Sequence, residues 1–367
     1  DERMWLGKIM DLDGKTLHEW NLDWFTIWPD AKHLPDKYIP KVRPGTTIHG
    51  TAVMENGDLV FNYENLGLVR LDREGKVVWR LPRQTHHSVY QHDDGTLWVC
   101  CQREHTEPDR RLPDLVPPFK EDTILVVTPE GKIVQEWSIA DLLHKNNLTG
   151  LLYLVGADNK LTEQPEDMLH LNDVEPFPET LEEGFFKKGD ILVSLRNIST
   201  VLVFNRETEK IKFICTGMFT WQHDPDFIDG NRFSVFDNWS ISPDREGRRS
   251  RIVIVTAPEK TMEVFYEGSP EGPFHTQILG KHQWLSNGNL LITEAMWGRA
   301  FEVNRRGEIV WEYINYVDDG VVGLVMEVQR LPPKYTGLFG GSESSEPESR
   351  RPDARQEEPA TTNASGD

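Results

Sequence analysis

Cysteine is scarce in this chain: Cys100, Cys101 and Cys215 are the only three in 367 residues. No pair has zinc-type spacing and adjacent cysteines rarely bond each other, so the count says little about compartment. Long apolar runs are also missing. No stretch approaches the roughly 18 residues of a membrane span. Basic residues are outnumbered, 40 against 60 acidic, for a formal net charge of −20. Such a surface repels nucleic acid and anionic headgroups over a Debye length of roughly 8–10 Å, which excludes both as main partners. A small anionic substrate is not excluded, because a narrow channel is governed by its own lining.

What the chain does have is tryptophan and a repeat. Twelve Trp suit strands that bury one face against another sheet. One unit, an apolar strand followed by a polar Gly-bearing turn and a second apolar strand, reads DLDGKTLHEW from Asp11 and RLDREGKVVWRL from Arg70. It returns as VVTPEGKIVQEW from Val126 and EVNRRGEIVWEY from Glu302, with degenerate copies from Val203 and Val255. Each reads as a β-hairpin. A second unit precedes most copies: a His, a strand, an Asn-Gly or Asp-Gly turn, and another strand. It starts near His49, His87, His223 and His282, and a fifth copy at His170 reaches its turn Gly189 only after an acidic insertion. His49 and His87 stand eight residues before the turn glycine, His223 seven and His282 six.

Together the two units make a four-stranded antiparallel sheet of about 50 residues, the size of a propeller blade. Five fit between His49 and Asn315. The hairpin at Asp11 lacks inner strands and the stretch from Gly323 lacks a hairpin. The expected fold is therefore all-β: a six-bladed β-propeller of four-stranded antiparallel blades, closed by pairing of its N- and C-terminal strands. Closure would remove the exposed edges that a linear array leaves. Residues 1–336 form the propeller domain and 337–367 an acidic tail without periodicity, read as disordered. Residues 102–122, 140–168 and 239–251 break the repeat and are expected on the rims.

The first strand of each propeller blade lines the central channel. His87, His170 and His223, with His49 and His282, should therefore converge on the axis despite their separation in sequence. Any one of them is readily explained as a turn residue bonding its own backbone. A whole ring of imidazoles is costly to desolvate unless it is used. Asn172 follows His170 by two and faces the same side of a strand. Arg196, on the next strand, offers a planar donor fork suited to sulfate, phosphate or carboxylate.

HLNDVEPFP, DILVSLRNIST, WQHDPDFIDGNRFSVFDN and GNLLITEAMWGRAFEVNRRGEIVWEY resemble the arylsulfotransferase family, bacterial enzymes that use aryl sulfates as donors without an adenylyl sulfate cofactor. The resemblance spans roughly residues 48–335 and implies a six-bladed propeller and ping-pong transfer through a sulfohistidine. By motif it implies His223 as the nucleophile, His170 and Asn172 as the His-x-Asn pair that binds the sulfuryl group, Arg196 as its stabiliser and His87 as a further channel histidine. His49 and His282 would complete the substrate site. No cofactor and no metal are expected. The partners would be a small aryl sulfate donor and a phenolic acceptor. The resemblance and the start at Asp1 lead us to expect an extracytoplasmic setting, periplasmic or anchored by a segment upstream. Two other readings stay open: a metal-dependent lyase or hydrolase using the histidines as ligands, and a non-catalytic binding propeller working through its rim loops.

Overall fold

The computed structural model describes residues 4–113, 115–154, 167–238, 249–269, 272 and 274–340. Every hairpin expected from the repeat is formed, and one turn recurs. In the turn at Asp72, the Gly75 N–H donates to the Asp72 carbonyl (3.0 Å) and the Asp72 N–H donates to Lys76 O (2.9 Å). The same two bonds recur at Asp11, Met54, His92, Thr128, Leu285 and Asn304. The glycine takes a left-handed φ, +80° at both Gly75 and Gly131, which is why the sequence spends a Gly there.

These hairpins assemble into five four-stranded antiparallel sheets whose strand order follows the chain. Blade 1 comprises Ile48–Val53, Leu59–Tyr63, Gly67–Leu71 and Val77–Leu81. Blade 2 comprises Gln84–Gln91, Leu97–His105, Phe119–Val127 and Ile133–Ser138. Blade 3 comprises Leu171–Pro176, Asp190–Leu195, Thr200–Asn205 and Ile211–Thr216. Blade 4 comprises His223–Phe227, Arg232–Asp237, Arg251–Thr256 and Thr261–Tyr266. Blade 5 comprises Lys281–Trp284, Leu290–Glu294, Arg299–Val303 and Ile309–Ile314. The fold is an all-β propeller of four-stranded antiparallel blades.

Apolar clusters lie between neighbouring sheets. Phe186, Phe213 and Phe233 meet edge to face between blades 3 and 4. Val60, Leu68, Val99 and Leu125 fill the space between blades 1 and 2. Each such side chain contributes roughly 1.5–3 kcal/mol by leaving water.

The expected sixth blade is not present as a four-stranded sheet. The N-terminal hairpin, Leu6–Met10 with Thr16–Asn21, stands as a two-stranded sheet. It holds a blade-like outer position all the same. Indole N–H groups of the outer strands donate to the hairpin turn of the next unit: Trp20 to Asp72 O, Trp79 to Pro129 O, and Trp311 to Leu12 O. The C-terminal stretch does not pair with this hairpin. Its bonds run largely through side chains. Glu327 accepts from the Thr51 N–H (2.9 Å), the Arg330 N–H donates to Gln283 Oε1 (2.7 Å), and the Val328 N–H donates to Thr293 Oγ1 (3.1 Å). A strand whose backbone groups are taken by side chains has no ladder to offer, so the count of full blades is five.

The packed body runs past the boundary expected at 336, because Phe339 is buried against Trp20 (5.8 Å between rings). The tail beyond 340 lies outside the described residues, as do 155–166 and 239–248 of the rim segments. Residues 102–105 and 119–122 continue two paired strands of blade 2, and the described residues between them form the irregular connection. Among the described residues no helix is long and apolar enough to cross a membrane.

Candidate functional site

The inner strands carry a distortion near one end. Their pairing with the second strand shifts between His49 and Thr51, His86 and Val89, Leu171 and Asp173, and His223 and Asp226. Gly50, His87, His170 and Asp224 adopt left-handed φ of 73°, 52°, 56° and 50°. For the non-glycine residues this costs about 1–2 kcal/mol each. Such bulges re-aim side chains, and here they turn imidazoles together. Gly50 is obligatory for a second reason: a Cβ there would lie 2.0 Å from the His87 carbonyl oxygen.

The result is a histidine mouth built by blades 1 to 4. The His87 ring centroid lies 4.3 Å from His49, 4.8 Å from His170 and 6.3 Å from His223. His49, His87 and His223 are buried, while His170 keeps 18% of its side chain exposed at the opening. Three contacts form a chain. Asp167 Oδ2 lies 2.6 Å from His170 Nδ1, His170 Nε2 lies 3.2 Å from His87 Nε2, and His87 Nδ1 lies 2.8 Å from His86 Nδ1. Desolvation holds His87 well below the ordinary imidazole range, helped by the surrounding histidines. Desolvation also pushes His86 down to about 3. Burial alone would raise Asp167, but His170 overrides it and holds the carboxyl at about 2.

His223 has its tautomer fixed by neighbours. Its Nδ1 lies 2.8 Å from Asn238 Oδ1 and 3.0 Å from the Trp221 carbonyl. The Asn238 amide is itself oriented, because its Nδ2 donates to Thr276 O and Leu279 O. Both partners of Nδ1 are therefore acceptors, so the proton sits on Nδ1 and Nε2 keeps its lone pair. Burial first, then the Arg196 charge, holds this imidazole well below its ordinary pKa. Arg196 stacks on Trp221 with its Cζ 4.8 Å from the ring centroid and donates to Asn197 Oδ1. Asn172 is buried beside them. Its amide donates to the Gln222 carbonyl (2.7 Å), which anchors the residue before His223.

The structure thus brings His49, His87, His170, Asn172, Arg196 and His223 into one region, but not His282. The imidazole of His282 lies in a second group deeper in the channel, with Nδ1 3.0 Å from Asp224 and Nε2 2.7 Å from Ser234 Oγ. Its shorter spacing to the turn glycine carries the reason. Two residues nearer the turn is roughly 6–7 Å further along a strand. In blade 5 the left-handed positions are Leu279 and Gly280, ahead of a strand that pairs without a register shift.

Reading the sequence missed Asp167, Asn238 and Trp221 as site residues. Asp167 stands three before His170, and Asn238 closes the Phe-Asp-Asn stretch. Glu64 was missed too. Its Oε2 lies 3.5 Å from His49 Nδ1, and His49, Glu64 and His87 could each offer one ligand atom within 4.8 Å of the others.

The arylsulfotransferase (ASST) family model matches residues 50–316. No protein of curated function matches the chain. Among solved structures, a protein of unknown function from Bacteroides caccae is 14% identical, with a TM-score of 0.51, over 83% of this chain and 88% of that one. That likeness supports the fold alone. Virginiamycin B lyase from Staphylococcus aureus is 15% identical over 73% of this chain and 70% of that one, with a TM-score of 0.40.

Proposed function

Because this chain belongs to the arylsulfotransferase family, we propose that it transfers a sulfuryl group from an aryl sulfate to a phenolic acceptor by way of a sulfated His223. The observation that carries the reading is the tautomer lock. Asn238 Oδ1 and the Trp221 carbonyl accept a hydrogen bond from the Nδ1–H, so the lone pair of the neutral ring is available on Nε2. Neutral imidazole is the nucleophilic form.

In the first half-reaction Nε2 attacks sulfur, the N–S bond forms and the S–O(aryl) bond breaks. The departing aryloxide takes a proton from the His170–His87 pair. In the second half-reaction an acceptor hydroxyl attacks sulfur, the N–S bond breaks, and the hydroxyl proton returns to that pair. The enzyme therefore lends one proton between the two steps. The Asp167–His170–His87–His86 chain suits that loan. With the extra proton, His170 donates to Asp167 and His87, and His87 donates to His86. Without it, His170 keeps only the Nδ1 proton held by Asp167, its Nε2 is bare, and His87 and His86 are unchanged. The Arg196 fork would stabilise charge on the sulfuryl oxygens, a contribution of about 3 kcal/mol for one well-aimed donor. Trp221, under that guanidinium, supplies a face for the aryl ring. An extracytoplasmic setting remains part of the proposal.

The test is a chromogenic aryl sulfate with and without a phenolic acceptor. Intact-protein mass spectrometry should find one added sulfo group on the wild type after donor alone. His223→Asn should lose that mass and lower turnover by about 10⁴-fold or more. A sulfo group that persists on the folded variant, or its absence from wild type with several donors, would overturn the proposal. A second reading has one observation in its favour, the His49, Glu64 and His87 grouping. Metal-assisted lyase or hydrolase chemistry there would be lost on chelation, restored by metal, and indifferent to His223→Asn.

A further inference from the structure

Below the histidines the channel changes character. Asp173 and Glu175 on blade 3 and Asp224 and Asp226 on blade 4 lie within electrostatic reach of one another. The Lys281 ammonium is shared between Asp224 Oδ1 (2.6 Å) and Asp173 Oδ1 (3.3 Å). One ammonium cannot by itself balance four carboxylates in a nearly dry channel, so the others need protons or a further cation.

His282 supplies the second observation. The residue is 95% buried by its 5% exposure, and its Nδ1 has no hydrogen-bond partner. Asp224 Oδ2 stands 3.0 Å from that nitrogen, and the hydrogen bond it does accept comes from the His282 backbone N–H (2.5 Å). The other ring nitrogen lies 2.7 Å from Ser234 Oγ, which also accepts from the Trp284 indole N–H (2.9 Å) and bonds the Asp226 carbonyl (3.4 Å). With the serine proton on that carbonyl, His282 carries its hydrogen on Nε2 and presents a bare Nδ1 beside a carboxylate oxygen. A ring nitrogen held by its far N–H is the usual posture of a metal-ligating histidine. Two donor atoms about 3 Å apart are also what two bonds of about 2.1 Å at a right angle to one ion require. Asp226 completes the set: one ligand atom from each of Asp224, Asp226 and His282 lies within 4.8 Å of the others, with Asp226 Oδ2 3.6 Å from the ring at its Nε2. Its carboxylate is 26% exposed, so an ion has a path in.

We propose that Asp224, Asp226 and His282 form a binding site for a divalent transition ion of the zinc–manganese class in the channel floor. Two carboxylates and one imidazole suit that class better than calcium or magnesium, which take oxygen-only sets. The ion would tie the inner strand of blade 4 to that of blade 5. It uses none of the mouth's imidazoles as ligands, so the proposal stands or falls apart from sulfuryl transfer.

The test is equilibrium dialysis of the full chain against Mn²⁺ and, separately, Zn²⁺, with elemental analysis and thermal melting. One ion per chain and a raised Tm are expected. Asp226→Asn and His282→Gln should each abolish the bound ion and the Tm increase. Ser234→Ala, which removes only the support behind the ring, should weaken binding by about tenfold or more. His49→Gln in the mouth should leave binding intact. No bound ion in the wild type, binding unchanged in folded Asp226→Asn, or loss confined to His49→Gln would each overturn the site. The first outcome would mean that Lys281 and bound protons alone balance the floor, and the last would move the ion to the mouth.

Discussion

The mouth and the floor of one channel are lined by the same inner strands, yet their chemistry is opposite. In the mouth, burial strips protons from bases: His86 and His87 are held neutral, and the Arg196 charge adds to the effect on His223. In the floor, burial keeps protons on acids. Desolvation pushes Glu175 and Asp226 well above the carboxylate range and Asp173 up to about 6. Asp224 is the exception. Lys281 overcomes its desolvation and holds it low. The two regions show how little separates a pocket of neutral imidazoles from an ion-pair plug. The bulge near the strand end aims an imidazole into the mouth, and the residues beyond it face the floor.

The comparison can be broken at either end. Replacing Lys281 with Met leaves Asp173 and Asp224 buried without their cation. The expected loss of folding stability is about 3–5 kcal/mol by urea titration. His49→Gln in the mouth should cost far less, and equal losses would mean the two regions are equally load-sharing. Arg196→Ala should lower kcat on an aryl sulfate by about 10²–10³-fold with little change in the urea midpoint. A large stability change without a kinetic one would make Arg196 a structural residue.

The acid limb gives the smallest effect and the clearest sign difference. Asp167 is depressed below its ordinary value, so its contribution is present above about pH 4 and is lost as pH falls through 2. Asp173 is raised, so its ionisation opposes folding as pH rises from about 4 through 6. Each is worth roughly 2–3 kcal/mol. Melting curves of Asp167→Asn and Asp173→Asn should therefore diverge from wild type on opposite sides of pH 4. Divergence on the same side would contradict the assigned signs.

Much of this was legible in the chain. The Gly-bearing turns fixed the hairpins one by one, because their bonds lie within four residues. Membership of His87, His170 and His223 in a single cluster followed from placing each on a first strand. The departures have equally specific causes. The sixth blade failed because residues after Gly323 bond through side chains instead of a ladder: Glu327 accepts from the Thr51 N–H of blade 1, and the Arg330 N–H donates to the Gln283 side chain of blade 5. His282 left the cluster through a two-residue offset that was visible in its spacing but had no meaning until the bulges were placed. Asp173, Asp224 and Asp226 were legible as carboxylates on histidine strands, without directions. Asp167 gave no signal, since an Asp in a loop is ordinary, and Asn238 stood in the Phe-Asp-Asn stretch of the resemblance without a role that the sequence could assign.

By itself the sequence determined the repeat, the strands and the residue types available on each inner strand, because alternation and turn chemistry act over a few residues. Only the tertiary structure decided which imidazoles meet, which nitrogen of His223 stays bare, and how acids and bases divide between floor and mouth. Those outcomes depend on burial and on partners from other blades, and neither exists until the sheets have packed together.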